Sequence, residues 1–130
     1  MDESKIKIFV VDASEVWRKI LINHITSSPD MEVIGEMNSS QGGILMLEEV
    51  DPDVVLLDVN PNDKLPLTEI IAQLKTIKPN LHIVLCADKA NMKNIASATD
   101  AGIQDFIVKP YKREMVLRSI HESVHKPLAT

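Results

Sequence analysis

Five short apolar runs, separated by stretches with helical spacing, limit how this chain can fold more than any other feature. The runs are Lys7 to Val11 (KIFVV), Met31 to Gly35 (MEVIG), Val54 to Asp58 (VVLLD), His82 to Cys86 (HIVLC) and Ile103 to Val108 (IQDFIV). Between strands, Val16 to Ile25 carries Val16, Trp17, Ile20, Leu21 and His24 at helical spacing, with Ser14 as N-cap. Ser40 to Val50 is a weaker helix, because Gly42 and Gly43 fall in its first turn. Leu67 to Ile77 places Ile70, Ile71, Leu74 and Ile77 on one face behind Pro66. Lys89 to Asp100 is polar and closes at Gly102, and Tyr111 to Val124 is amphipathic. Short strands that are apolar throughout, alternating with helices, imply a parallel sheet covered on both faces. The expected architecture is α/β: a five-stranded parallel sheet with five helices, doubly wound into a three-layer sandwich.

Such sheets bind ligands beyond the carboxyl ends of their strands. Asp12, Asp58, Ala87 and Lys109 all fall there. Two neighbouring carboxylates favour a cation between them, and hard oxygen ligands suit Mg²⁺. A carboxylate can also attack a phosphoryl group, and a lysine can pair with a phosphoryl oxygen. The plainer alternatives are a polar cap at a strand end for Asp58, an acid beside a helix N-terminus for Asp12, and a solvated lysine before a turn for Lys109.

Composition narrows the field. The 130 residues fit one domain, and a net charge of −5 argues against direct nucleic-acid binding. The lone cysteine, Cys86, sits in an apolar run and suits a packed thiol in a reducing cytoplasm. No apolar run is long enough to span a bilayer, and the start, MDESKIKI, does not read as a signal peptide. His24, His82, His121 and His125 form no zinc-binding spacing, and Gly42-Gly43 lacks the Lys-Ser/Thr of a phosphate-binding loop.

Three segments in order, VVDAS (Val10 to Ser14), PDVVLLDVN (Pro52 to Asn60) and AGIQDFIVKP (Ala101 to Pro110), give the chain its resemblance. It resembles the receiver domain of two-component response regulators, the CheY-like family with a flavodoxin-like fold, over nearly its whole length. That resemblance implies that Asp58 is the phosphoacceptor and that Lys109 contacts the phosphoryl group. It implies Mg²⁺ held by Asp12, Asp58 and the backbone carbonyl of Asn60, switch positions at Ala87 and Phe106, and a cis bond before Pro110. The partners implied are a sensor histidine kinase or phosphotransfer protein and a downstream protein or attached output domain. The latter would be met through the Lys89 to Asp100 helix, the Ile103 to Val108 strand and the last helix, with Met92, Ile95 and Phe106 as candidate anchors. Neither nucleic acid nor membrane is an expected partner. The protein is expected to be cytoplasmic, and no enzyme beyond forming and losing its own aspartyl phosphate. Residues 1–130 read as a single receiver, standing alone or as the N-terminal part of a longer regulator.

The sequence departs from the family pattern where chemistry is concentrated. Ala13 stands where the second acid of the pair ligates the metal, and Ala87 where a Thr or Ser bonds the phosphoryl group. Phe106 replaces the switch Tyr, so both polar ends of the usual Thr–Tyr coupling are missing. The loop Asn60-Pro61-Asn62-Asp63 reads one residue short. Glu15 and Asp88 are the acids the sequence offers as substitutes near Ala13. Two functions follow: a phosphorylated receiver, or a degenerate pseudo-receiver that binds partners without phosphorylation. A haloacid dehalogenase-type hydrolase would need an acid where Asn60 stands, and a flavodoxin would need a hydroxyl-rich loop in place of VDASEVW.

Overall fold

A computed structural model describes residues 4–60, 62–91, 102–103 and 105–125. Five strands, β1 (Ile6–Val11), β2 (Met31–Met37), β3 (Val54–Asp58), β4 (His82–Ala87) and β5 (Asp105–Val108), form one sheet in the order β2-β1-β3-β4-β5, every pairing parallel. Four α-helices lie among the described residues: α1 (Glu15–Thr26), α2 (Ser40–Leu47), α3 (Leu67–Ile77) and α4 (Arg113–His125). A 3₁₀ turn at Lys89–Asn91 begins the segment expected to form a fifth helix. The rest of that segment, with Met92 and Ile95, lies outside the described residues.

The central strands β1, β3 and β4 are apolar along most of their length because both faces are covered, while the edge strand β2 carries Glu32 and Glu36. On one face Phe9, Val11, Val55, Leu57, Ile83 and Leu85 pack against α2 and α3. Their neighbours in sequence, Ile8, Val10, Val54, Leu56, Val84 and Cys86, turn the other way onto α1 and α4. Leu57 is 1 % exposed, and burial of one such side chain stabilises the fold by about 2 kcal/mol.

Several boundaries differ from expectation, for local reasons. β2 runs on to Met37, whose carbonyl accepts the Asp12 amide at 3.0 Å, so the pairing with β1 extends into the loop. α2 ends at Leu47, but it starts firmly, because Ser39 Oγ accepts the Gly42 amide. Its two glycines are places of close approach. A Cβ on Gly43 would lie 2.9 Å from Val11 Cγ2, and one on Gly42 would meet the end of Met37. Gly102, with φ of 99°, takes the left-handed backbone that glycine tolerates. α4 begins two residues later than expected; before it, the Lys109 amide donates to the Ala87 carbonyl at 2.8 Å and the bond to Pro110 is cis.

The register sets the stage for the site. Val11 pairs with Leu57, Asp58 with Cys86, and Ala87 with Val108. Asp12, Asp58, Ala87 and Lys109 therefore end four adjacent strands at one edge of the sheet.

Candidate functional site

Asp12 follows β1 and is almost fully buried at 2 % exposure. Ser14 fixes its carboxylate: the Ser14 amide donates to Oδ1 at 2.8 Å, while Ser14 Oγ caps α1 by accepting the Trp17 amide. Arg18 holds the backbone behind it, donating from Nη1 to the Asp12 carbonyl while its Nε pairs with Glu36 at 2.7 Å. Asp12 Oδ2 is buried with no hydrogen-bond partner. Its nearest cation, Lys109 Nζ, lies at 3.8 Å, an ion-pair distance too long for a hydrogen bond.

Asp58 ends β3. Its Oδ1 accepts a hydrogen bond from Lys109 Nζ at 2.8 Å, and both side chains are mostly withdrawn from water. Burial pushes the Asp58 carboxyl up to about 6, with Lys109 opposing the rise and Asp12 adding to it. At neutral pH Asp58 is still chiefly the carboxylate, the form that can act as a nucleophile. Lys109 also lies 5.3 Å from the centre of the Trp17 ring, and Trp17 meets Tyr111 edge-on with centroids 5.4 Å apart.

A cleft of about 210 Å³ opens over Asp12, Asp58 and Asn60 and is closed on its far side by Ser39, Ser40 and Gln41. Asn60 makes a turn: its carbonyl accepts the Asp63 amide and its Oδ1 the Asn62 amide. Pro61, in that loop, lies outside the described residues. Asp63 bonds to Ser40 Oγ and so ties the loop after β3 to the start of α2. The sequence reading did not see this link. An acid five residues after a strand and a serine at a helix start carry no joint pattern until the fold brings them together.

The two alanines stand where the sequence reading put them, with opposite surroundings. Ala13 is exposed, and its methyl offers no ligand. Ala87 is fully buried at the end of β4. Both acids offered as substitutes have partners of their own, and Asp88 is near enough to add to the rise of the Asp58 carboxyl. Glu15 pairs with Lys19 at 3.2 Å on the helix surface, and the Asp88 carboxylate accepts from the Asn91 amide and side chain. Among the described residues no cluster of three or more His, Cys, Asp or Glu side chains could hold a metal. Phe106 is 41 % exposed on β5, away from the cleft. Cys86 is buried, and burial pushes its thiol well above the usual range, so it is inert.

The sequence profile of the response regulator receiver domain matches residues 8–121. The chain belongs to that family. It is a receiver domain of two-component signalling, and its relatives show the settings in which such domains occur. It is 27 % identical over 118 residues to the chemotaxis protein CheY of Listeria monocytogenes, covering 91 % of this chain and 98 % of that one. It is 32 % identical over 112 residues to a protein-glutamate methylesterase/protein-glutamine glutaminase of Halalkalibacterium halodurans, covering 83 % of this chain but 31 % of the relative. In fold, it matches the receiver domain of NarL from Mycobacterium tuberculosis with a TM-score of 0.84 at 18 % identity, covering 96 % of this chain and 100 % of that one. No helix among the described residues of this receiver is long and apolar enough to cross a membrane.

Proposed function

We propose that this receiver accepts a phosphoryl group on Asp58 from the phosphohistidine of a cytoplasmic histidine kinase or phosphotransfer protein. One observation carries the reading: a nucleophilic carboxylate at a strand end lines an open cleft and is paired at 2.8 Å with the ammonium of Lys109. In the transfer, an Asp58 carboxylate oxygen attacks phosphorus. The phosphorus–nitrogen bond breaks, and its electron pair stays on the imidazole nitrogen. The Asp58 acyl phosphate is left, and attack of water on phosphorus later returns inorganic phosphate and the carboxylate. Lys109, already at Asp58, donates to a phosphoryl oxygen and offsets its charge.

The residues fit a hard divalent cation in part. The unpartnered buried Oδ2 of Asp12, the Asp58 carboxylate and the Asn60 carbonyl are oxygen donors of the kind Mg²⁺ takes. When bound, Mg²⁺ would neutralise charge on the phosphoryl oxygens. With Ala13 in place of an acid, the chain offers one ligand fewer, and Mg²⁺ would be held less tightly than the family pattern implies.

The second reading, a pseudo-receiver that binds partners without phosphorylation, is favoured by the oxygen-free side chains at Ala13 and Ala87. Acetyl phosphate with Mg²⁺, followed by intact mass, separates the two. The first reading expects one phosphoryl adduct that is absent in Asp58→Asn; no adduct at any Mg²⁺ concentration favours the second. The output would be a downstream protein or an attached domain, met through β5, α4 and the segment after β4.

A further inference from the structure

We infer that Trp17 is a positioning residue for Lys109: its indole face holds the lysine ammonium at Asp58 when a second cation enters beside Asp12. The inference rests on the phosphoacceptor reading of Asp58. Lys109 Nζ has three neighbours: Asp58 Oδ1 at 2.8 Å, Asp12 Oδ2 at 3.8 Å and the Trp17 ring, centred 5.3 Å away. A divalent cation on Asp12 and Asp58 would draw on both carboxylates and repel the ammonium. Only the indole contact survives that change undiminished, because its attraction comes from the ring quadrupole. The Lys109 side chain is 11 % exposed, and a cation over a ring is held most firmly when water is largely excluded.

The ring is fixed in place. Ser14 Oγ accepts the Trp17 amide while the Ser14 amide holds Asp12 Oδ1, so one serine sets both the start of α1 and the carboxylate. On its other side Trp17 meets Tyr111 at an interplanar angle of 79°, and Tyr111 follows Lys109 by only two residues. The ring that faces the lysine is therefore itself braced by a second aromatic from the segment leading into α4. The bland alternative is that Trp17 only fills space between α1 and α4. It differs in one respect: space filling depends on shape, whereas holding a cation depends on ring electrons.

Trp17 is the chain's only tryptophan, so fluorinated tryptophans can replace it uniquely. Successive fluorination drains the ring face with little change in shape. The rate of adduct formation from acetyl phosphate at fixed Mg²⁺ should fall stepwise from tryptophan through mono-, di- and trifluorotryptophan. It should drop about tenfold in Trp17→Leu and recover in part in Trp17→Tyr. A rate that is level across the fluorinated series overturns the inference, whatever Trp17→Leu does. A second readout needs no phosphorylation. The Lys109 side-chain methylene signals should be shifted upfield by the indole, and should stay shifted as Mg²⁺ is added. In Trp17→Leu that shift should vanish. If the wild type forms no adduct, the phosphoacceptor reading fails while the Lys109 signals still decide the inference; unshifted signals in the wild type overturn it.

Discussion

β3 and β4 are parallel neighbours, with Asp58 level with Cys86, yet their ends carry opposite chemistry. β3 finishes on a carboxylate facing a cleft and paired with Lys109. β4 finishes on Ala87, a buried methyl with nothing polar to offer. The backbone treats the two alike: the Val59 amide bonds the Cys86 carbonyl and the Lys109 amide bonds the Ala87 carbonyl, each at 2.8 Å. The backbone at the end of β4 is thus tied down as firmly as that after β3, and what differs is the side chain. Loss of chemistry at one strand end has left the fold and the neighbouring strand end undisturbed.

The largest expected effect removes the charge that serves the β3 end. Lys109→Met should slow adduct formation by about a hundredfold, since a hydrogen bond to a charged group is worth about 1.5–3 kcal/mol. The rate from acetyl phosphate, followed by intact mass, checks this. A change of less than about threefold would mean that the 2.8 Å contact does not reach the reaction.

Next comes the cost of keeping a carboxylate at β3. The Asp58 carboxyl is raised from 3.8 to about 6, chiefly by burial, so the folded state binds its proton more tightly than the unfolded chain does. For a raised acid, stability from this group is fullest below the unfolded value and declines as pH climbs from about 4 to about 6. Above that window the cost of the charge is fully present, on the order of 3 kcal/mol. Asp58→Asn should therefore be more stable than the wild type by about 2 kcal/mol at neutral pH, part of the gain being offset by Lys109 losing its partner. The gap should close below about pH 3, where Asp58 is protonated in both states. Urea unfolding at the two pH values measures it; an equal gap at both would rule out burial of charge as the cause.

A smaller effect should come from refitting the β4 end. Ala87→Ser restores a hydroxyl at the position where the family pattern carries one and should raise the adduct level about tenfold. Ala87→Thr should give a similar gain but lose about 1–3 kcal/mol of stability, because position 87 has no spare room. If neither variant changes the adduct, the missing hydroxyl is not what limits this receiver.

Much of this was legible in the sequence because the signals were strong and local. VVLLD is the strongest strand signal in the chain, and Ser14 stands as a candidate cap just before a helical stripe. The strand ends then follow from topology, which is why Asp12, Asp58, Ala87 and Lys109 were all placed at one edge. What was not legible depends on helix rotation and loop closure. Spacing puts Trp17 on a helical stripe but does not set its ring against Tyr111 or against Lys109. Ser40 and Asp63, 23 residues apart, meet only once α2 has docked on the loop after β3. The weak reading of α2 had a physical cause too. Gly43 lowers helix propensity, but its bare backbone is what lets the helix lie against Val11.

The smallest effect tests whether the two strand ends are insulated. Cys86 is level with Asp58 in the ladder, and its thiol turns into the core beside Ile107 and Val84. Cys86→Ala should cost about 1 kcal/mol through the small cavity it leaves, visible in urea unfolding. It should also leave the adduct rate within about twofold, since that cost falls on the packed face and no bond to Asp58 is lost. A larger fall in rate, with stability little changed, would show that packing behind β4 is transmitted to the carboxylate beside it. The contrast between the strand ends would then lie in how the core supports each of them, and the side chain at position 87 would be only part of it.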